Sequence, residues 1–191
     1  METITSVTFC PSCARAVTFM HPSTTLLVCG CGSVVHRDGA QIRTKPIPII
    51  QQPTDAIQPG TKGQYKGRPF DVLGRFRAWM EEFVFNYWTL AFADGSIGYL
   101  AEGYGIYALY EPAPTGQKIT SAALSRLRLC SMRDNYLLER AYVCYKWEVE
   151  GELLIPQTAA TFRTFEFAAL DGQHTEVMDF GNDQVFQYQV Q

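Results

Sequence analysis

The chain has 191 residues, a formal charge of -3, 47% apolar residues and 18% charged ones. This is enough apolar material for a packed core, and the net charge points to no particular class of partner. No stretch approaches the roughly 18 apolar residues of a membrane span. The opening Met1-Glu2-Thr3-Ile4-Thr5 lacks the basic start and apolar run of a secretory leader. A cytoplasmic chain is therefore expected, with cysteines serving as metal ligands or free thiols. Charge is uneven: residues 1–78 hold nine Lys/Arg against four Asp/Glu, and residues 79–191 hold seven against fifteen.

Residues 1–43 read as a small cysteine knuckle. Cys10-Pro11-Ser12-Cys13 places two sulfurs on one tight turn. Fifteen residues later, after the strand-like Thr25-Leu-Leu-Val28, comes Cys29-Gly30-Cys31-Gly32. Zinc takes four thiolates in a tetrahedron at about 2.3 Å, and two such turns can supply Cys10, Cys13, Cys29 and Cys31. The second pair departs from the usual spacing by having one intervening residue instead of two. His36 or His21 could replace a cysteine if one falls out of reach. A redox C-x-x-C is disfavoured, because strand-like sequence comes where a helix should start. A closed set of four thiolates leaves no open position, so the zinc should be structural.

Residues 44–57 form a Pro-rich linker with Pro46, Pro48 and Pro53, although Ile47, Ile49 and Ile50 could pack on the module after it. Residues 58–191 read as an all-β module. Strand-like segments include Phe70–Arg77, then an aromatic run from Trp79 to Phe92 broken near Asn86. Tyr99-Leu100, Ile106–Tyr110, Tyr136–Val149, Phe162–Leu170, Thr175–Phe180 and Val185–Val190 complete the set. Ser121–Leu129 is the one plausible helix. Asp94-Gly95 marks a tight hairpin.

The module repeats itself. Asn86–Gly95 with Tyr99–Glu102 lies over Arg163–Gly172 with Glu176–Asp179 at an offset of 77 residues. Trp88 falls on Phe165, Leu90 on Phe167 and Leu100 on Val177. The halves run over about 58–114 and 121–191. The expected fold is mostly β: a zinc knuckle, then two related antiparallel meanders in a small barrel or sandwich.

Other residues carry weaker chemistry. Cys130 and Cys144 read as buried structural thiols. His174, just past the Asp171-Gly172 turn, has no nucleophile beside it in sequence. Glu148, Glu150 and Glu152 alternate along one stretch; they read as a solvated strand face that could otherwise hold a hard cation. Lys62, Lys66, Arg68, Arg75 and Arg77, with Tyr65, Phe70 and Phe76, could form a nucleic-acid face, but Asp71, Glu81 and Glu82 interrupt it. The phosphate-loop, nucleophile-elbow and zinc-protease motifs do not occur. No residue qualifies as catalytic, and no enzyme is expected.

Several stretches resemble the bacterial domain-of-unknown-function family 4178: Ile57–Gly63, Phe70–Gly74, Tyr87–Leu90, Asp94-Gly95 to Leu100, Val149–Leu153 and Met178–Phe180. The resemblance covers roughly residues 57–190, and Glu150-Gly-Glu-Leu153 is its most specific part. The knuckle is similar to the cysteine segment that some members carry. The chain departs from the family pattern after Glu-Leu, where Leu154 and Ile155 precede Pro156. The resemblance implies no catalytic residues. It implies an adaptor beside membrane-associated or envelope-stress proteins. The expected function is thus a non-enzymatic interaction module with a protein partner. Nucleic-acid binding through residues 62–77 is the alternative, and an enzyme of unknown type the second.

Overall fold

The computed structural model describes residues 6–51, 55–81, 83–113, 119–133, 135–155, 161–181 and 184–191. Pro53, Glu82 and Pro156 lie outside these residues.

The protein is mostly β, as its sequence pattern requires. Strands β1 (Ser6–Phe9) and β2 (Ala16–Phe19) form a two-stranded sheet. Strands β3 (Leu26–Val28), β4 (Val34–Asp38) and β5 (Gln41–Lys45) pair antiparallel in chain order. After them come β6 (Lys62–Tyr65), β7 (Arg68–Met80), β8 (Phe83–Phe92), β9 (Ile97–Gly103) and β10 (Ile106–Pro112). A single helical turn, α1 (Ser121–Leu124), and the short β11 (Met132–Arg133) precede β12 (Tyr136–Leu153). Strands β13 (Phe162–Ala169), β14 (His174–Asp179) and β15 (Val185–Val190) end the chain.

Two four-stranded meanders are present, β7-β8-β9-β10 and β12-β13-β14-β15. Their β8–β9 and β13–β14 turns are built alike. Gly95 and Gly172 take φ of 84° and 86°, a region that penalises any Cβ. The Asp94 carboxylate accepts the Ser96 amide at 2.9 Å, and Asp171 accepts the Gln173 amide at 3.0 Å.

Two expectations are corrected. The aromatic run breaks before Phe83, not near Asn86: β7 ends at Met80, and Glu81 turns the chain with φ of 50°. The helix expected over Ser121–Leu129 is limited to Ser121–Leu124, capped by the Thr120 hydroxyl, which accepts the Ala123 amide.

The chain falls into two compact units. Unit 1 comprises Met1–Arg77, Asn86–Leu100 and Glu148–Gln157; unit 2 comprises Ala78–Phe85, Ala101–Trp147 and Thr158–Gln191. In unit 1 the rings of Phe76 and Tyr87 stack at 4.5 Å, and Tyr99 meets Phe76 edge-on at 5.9 Å. The Tyr99 hydroxyl donates to the Leu154 carbonyl, and Trp88 Nε1 donates to that of Ile57 at 3.1 Å. The Pro-rich segment packs at its Ile49-Ile50 end: Ile50 is buried, its amide donates to the Val149 carbonyl, and Val149 donates to Pro48. Proline cannot continue a sheet ladder, so this segment touches β12 by an isolated bridge only.

Unit 2 has its own core of Leu124, Leu138, Phe165, Phe167 and Val177. Buried Asp179 accepts from the Ser121 hydroxyl at 2.6 Å and the Gly181 amide at 2.9 Å, and it pairs with Arg163.

Candidate metal centre

Two hairpin turns of unit 1 carry the four cysteines. At the end of β1 the Cys10 amide donates to the Arg15 carbonyl at 2.9 Å, and the Ala14 amide returns to the Cys10 carbonyl at 2.8 Å. Ala14 takes φ of 58°, so the chain curls around the first two sulfurs. At the end of β3 the Cys29 amide donates to Ser33 at 2.9 Å and the Gly32 amide to Cys29 at 2.8 Å. Gly32, at φ of 82°, supplies the tight reversal that a two-cysteine turn with one intervening residue needs. Gly30 has open space where a Cβ would stand.

These turns bring the four thiols together. All four sulfurs lie within 4.8 Å of one another. Cys10 Sγ is 3.8 Å from Cys31 Sγ, and Cys13 Sγ is 3.7 Å from Cys29 Sγ. A tetrahedron with metal–sulfur bonds of about 2.3 Å has edges of about 3.8 Å, so these two pairs sit at the edge length of a four-thiolate site. All six cysteines of the chain are free thiols.

The electrostatics of the cluster are those of four crowded thiols. At Cys31 the Ser33 hydroxyl and amide favour the thiolate and hold its pKa down at about 6. At Cys29 the Cys31 amide also pulls down, but burial and the neighbouring thiols of Cys31, Cys13 and Cys10 outweigh it, and the pKa is pushed up to about 12. Cys13 is raised as well; hydrogen bonding to the Arg15 amide opposes the shift, and burial with Cys31 and Cys10 carries it. One thiolate forms readily here, and each further one meets charge already present. A divalent ion at the centre would remove that conflict.

The site is also the knuckle's core. Buried Cys10, Cys29, Phe19 and Val35 pack together, flanked by Cys13, Val17, Leu27 and Ile42. Beyond this cluster the knuckle is tied to the rest of unit 1 by the β3–β12 pairing and by the Met20 and His21 amides on Glu152. Comparison with protein-family models, with curated proteins and with solved structures gave no match.

The histidines take other roles. His21 Nε2 lies 3.1 Å from the Gly95 carbonyl, while Nδ1 accepts the Ser23 amide at 3.2 Å. His36 is buried on β4, and neither of its ring nitrogens has a hydrogen-bond partner. Neither belongs to the four-thiol cluster.

The acidic stretch differs from the solvated face expected of it. Glu150 and Glu152 are 7% and 2% exposed. The Glu152 carboxylate accepts the Met20 amide at 2.7 Å, the His21 amide at 2.9 Å and the Thr24 hydroxyl. Arg37 grips the same loop through the carbonyls of Thr24, at 2.7 Å, and Pro22, at 2.8 Å. Its guanidinium also stands 4.2 Å over the Phe19 ring. Glu150 lies 2.6 Å from Nε of the fully buried Arg75, close enough to pair although the N–H does not aim at the oxygen. Burial pushes the Glu150 carboxyl up, and Arg75 pulls it back. Asp55 bridges Arg75 at 2.5 Å and Arg77 at 3.0 Å; hydrogen bonding to Arg75 keeps it below the usual carboxylate range.

Acidic side chains stand beside most of the basic residues between 62 and 77. Arg75 is buried, Arg77 binds Asp55, Arg68 binds Asp94 at 3.1 Å and Lys62 binds Asp71 at 3.3 Å. Cys144 is buried as expected, its thiol donating to the Lys146 carbonyl at 3.1 Å, whereas Cys130 is exposed. His174 is exposed and lies 4.0 Å from Glu139. Among the described residues, no helix is long and apolar enough to cross a membrane.

Unit 1 also contains an open groove of about 810 Å³, lined by Thr18, Met20, His21, Lys62, Phe70 and Phe92 among others. On one side stands β6, whose hydrogen-bonded neighbour among the described residues is β7 alone. The Lys66-Gly67 turn has φ of 46° and 80°, the two-residue reversal that makes Tyr65 and Arg68 a hydrogen-bonded pair. Alternation then makes Gly63 and Phe70 another such pair, and it turns the amides of Lys62 and Gln64 away from β7.

Proposed function

We propose that the protein is a non-enzymatic interaction module whose N-terminal knuckle is held folded by one structural zinc ion. The observation that carries the reading is the convergence of the four thiols within 4.8 Å, two pairs of them at the edge length of a four-thiolate site. Cys10, Cys13, Cys29 and Cys31 fill all four coordination positions, and a closed site has none for a reactant. Zinc is the favoured ion because four soft thiolates in a tetrahedron suit it, and a reducing cytoplasm keeps the thiols available.

The groove beside β6 supports the interaction half. An extended segment of a partner protein laid there meets the outward amides of Lys62 and Gln64 and the apolar walls of Phe70 and Phe92. Membership of the family-4178 group, with an adaptor role beside envelope proteins, fits this arrangement and is part of the proposal.

The test is affinity capture with the tagged full chain, comparing wild type with Cys13→Ser and Gln64→Pro. Proline at 64 removes an outward donor and leaves the β6–β7 pairing in place. The reading expects a partner retained by wild type and lost by both variants. Retention by both, or substrate turnover abolished by Glu150→Gln, defeats it.

A further inference from the structure

The four thiols are not equally reachable. Cys10 and Cys29 are buried, Cys13 is half-buried, and Cys31 is exposed. The sulfur 3.8 Å from this exposed thiol is that of Cys10, which is 1% exposed. An oxidant arriving from solvent therefore meets one ligand first, with a second thiol within a short shift of the bonding position. Cys10 packs in the buried cluster of Phe19, Cys29 and Val35, and Cys31 lies two residues from Cys29.

We infer that the knuckle is a peroxide-sensitive switch in which Cys31 is the point of attack and Cys10 closes a disulfide with it, dismantling the metal site. The inference rests on the structural-zinc reading for its metal and on the sulfur geometry for its chemistry. In the first step the Cys31 sulfur attacks a peroxide oxygen. An S–O bond forms, the O–O bond breaks, and the departing hydroxide takes a proton to become water, leaving a sulfenic acid. In the second step the Cys10 sulfur attacks Cys31. An S–S bond forms, the S–O bond breaks, and a second hydroxide leaves and is protonated. Two thiolates together give up two electrons, and hydrogen peroxide receives them. Cys13 and Cys29 alone are half of a tetrahedral ligand set, too few to retain the ion.

The consequence reaches beyond the sulfurs. Cys10 and Cys29 pack with Phe19, and Met20 and His21, immediately after it, are the residues that dock on Glu152. Opening the cluster loosens that docked loop and, with it, one wall of the groove.

The experiment treats the zinc-loaded full chain with one equivalent of hydrogen peroxide. Released zinc is followed with a chelating dye, disulfides are mapped by fragment mass spectrometry, and amide exchange is read at Met20 and His21. The expected first product is a Cys10–Cys31 disulfide, formed in step with zinc release and with faster exchange at both amides. Cys31→His keeps a metal donor without a thiol, and its zinc release is expected to be at least about tenfold slower. In Cys10→His the sulfenic acid of Cys31 should persist long enough to be trapped by dimedone. Zinc release with Cys31 unmodified, or equally fast release from Cys31→His, overturns the switch. A chain that purifies without zinc defeats the structural-metal reading separately. In that chain a peroxide-formed Cys10–Cys31 disulfide still supports the thiol pair, and another first pairing overturns it.

Discussion

Gly74 lies against the backbone of Glu152 so closely that a Cβ at position 74 would stand 2.4 Å from both the nitrogen and the oxygen of Glu152. Gly151 returns the contact: its own Cβ would meet the Leu73 carbonyl oxygen at 2.4 Å, and its φ is 68°. Two backbones meet here with no room for a side chain. Gly74→Ala must push β7 and β12 apart, with an expected cost of about 3 kcal/mol or more, at the upper end of overpacking penalties. Urea unfolding measures it, and a loss below about 1 kcal/mol contradicts the close approach.

Glu152 is expected to act as an acceptor more than as a charge. Glu152→Ala leaves the Met20 and His21 amides without their acceptor, at about 1 to 3 kcal/mol for each buried group left unpaired, while the Thr24 hydroxyl keeps the His21 carbonyl. Glu152→Gln keeps one acceptor oxygen and should cost less. Hydrogen exchange at the Met20 and His21 amides should accelerate strongly in the alanine variant and modestly in the glutamine one. Equal effects from the two contradict the assignment.

Metal removal should unfold the knuckle before the rest. Zinc binding is worth roughly 10 to 16 kcal/mol in small finger domains, and the knuckle's cluster of Cys10, Phe19, Cys29 and Val35 supplies little besides. Elemental analysis should find about one zinc per chain. A strong chelator should abolish amide protection across β1 to β4 while leaving the Leu124–Phe167 core of unit 2 protected. Protection lost everywhere together, or nowhere, runs against this.

His36 gives stability a pH dependence of known sign. Burial, then the charges of Lys45 and Arg43, holds its pKa below 6.5, and Asp38 opposes them. The folded chain therefore binds fewer protons at this site than the unfolded chain. The site's contribution is complete above the unfolded value of 6.5 and is lost as pH falls through it toward the lower folded value. Unfolding wild type and His36→Phe at about pH 8 and about pH 5.5 isolates the contribution. Wild type should lose more stability on acidification than the variant, and parallel losses refute the assignment.

Legibility in the sequence tracked the range of the interactions. Cys10-x-x-Cys13 and Cys29-x-Cys31 were readable because each turn is local, and the Asp94-Gly95 and Asp171-Gly172 turns for the same reason. The break at Glu81 was hidden: the aromatic run continues past it, and glutamate gives no warning of a φ of 50°. Burial of Glu152 was not legible, because the amides that hold it lie 132 and 131 positions away. Nothing near Arg37 announced that its guanidinium would grip the opposite side of the same loop. The partner of Arg75 and Arg77 was hidden for a related reason, since Asp55 reaches them from some twenty residues away.

Four strands, β7, β8, β9 and β12, each contribute residues to both compact units, and each unit is drawn from three separate stretches of chain. No single cut of the polypeptide therefore releases either unit whole. A fragment or fusion cut at the boundary within β7, β8, β9 or β12 would sever that strand. Inheritance of this architecture has to be all or none, and a ribosome must deliver β12 before unit 1 has its last stretch.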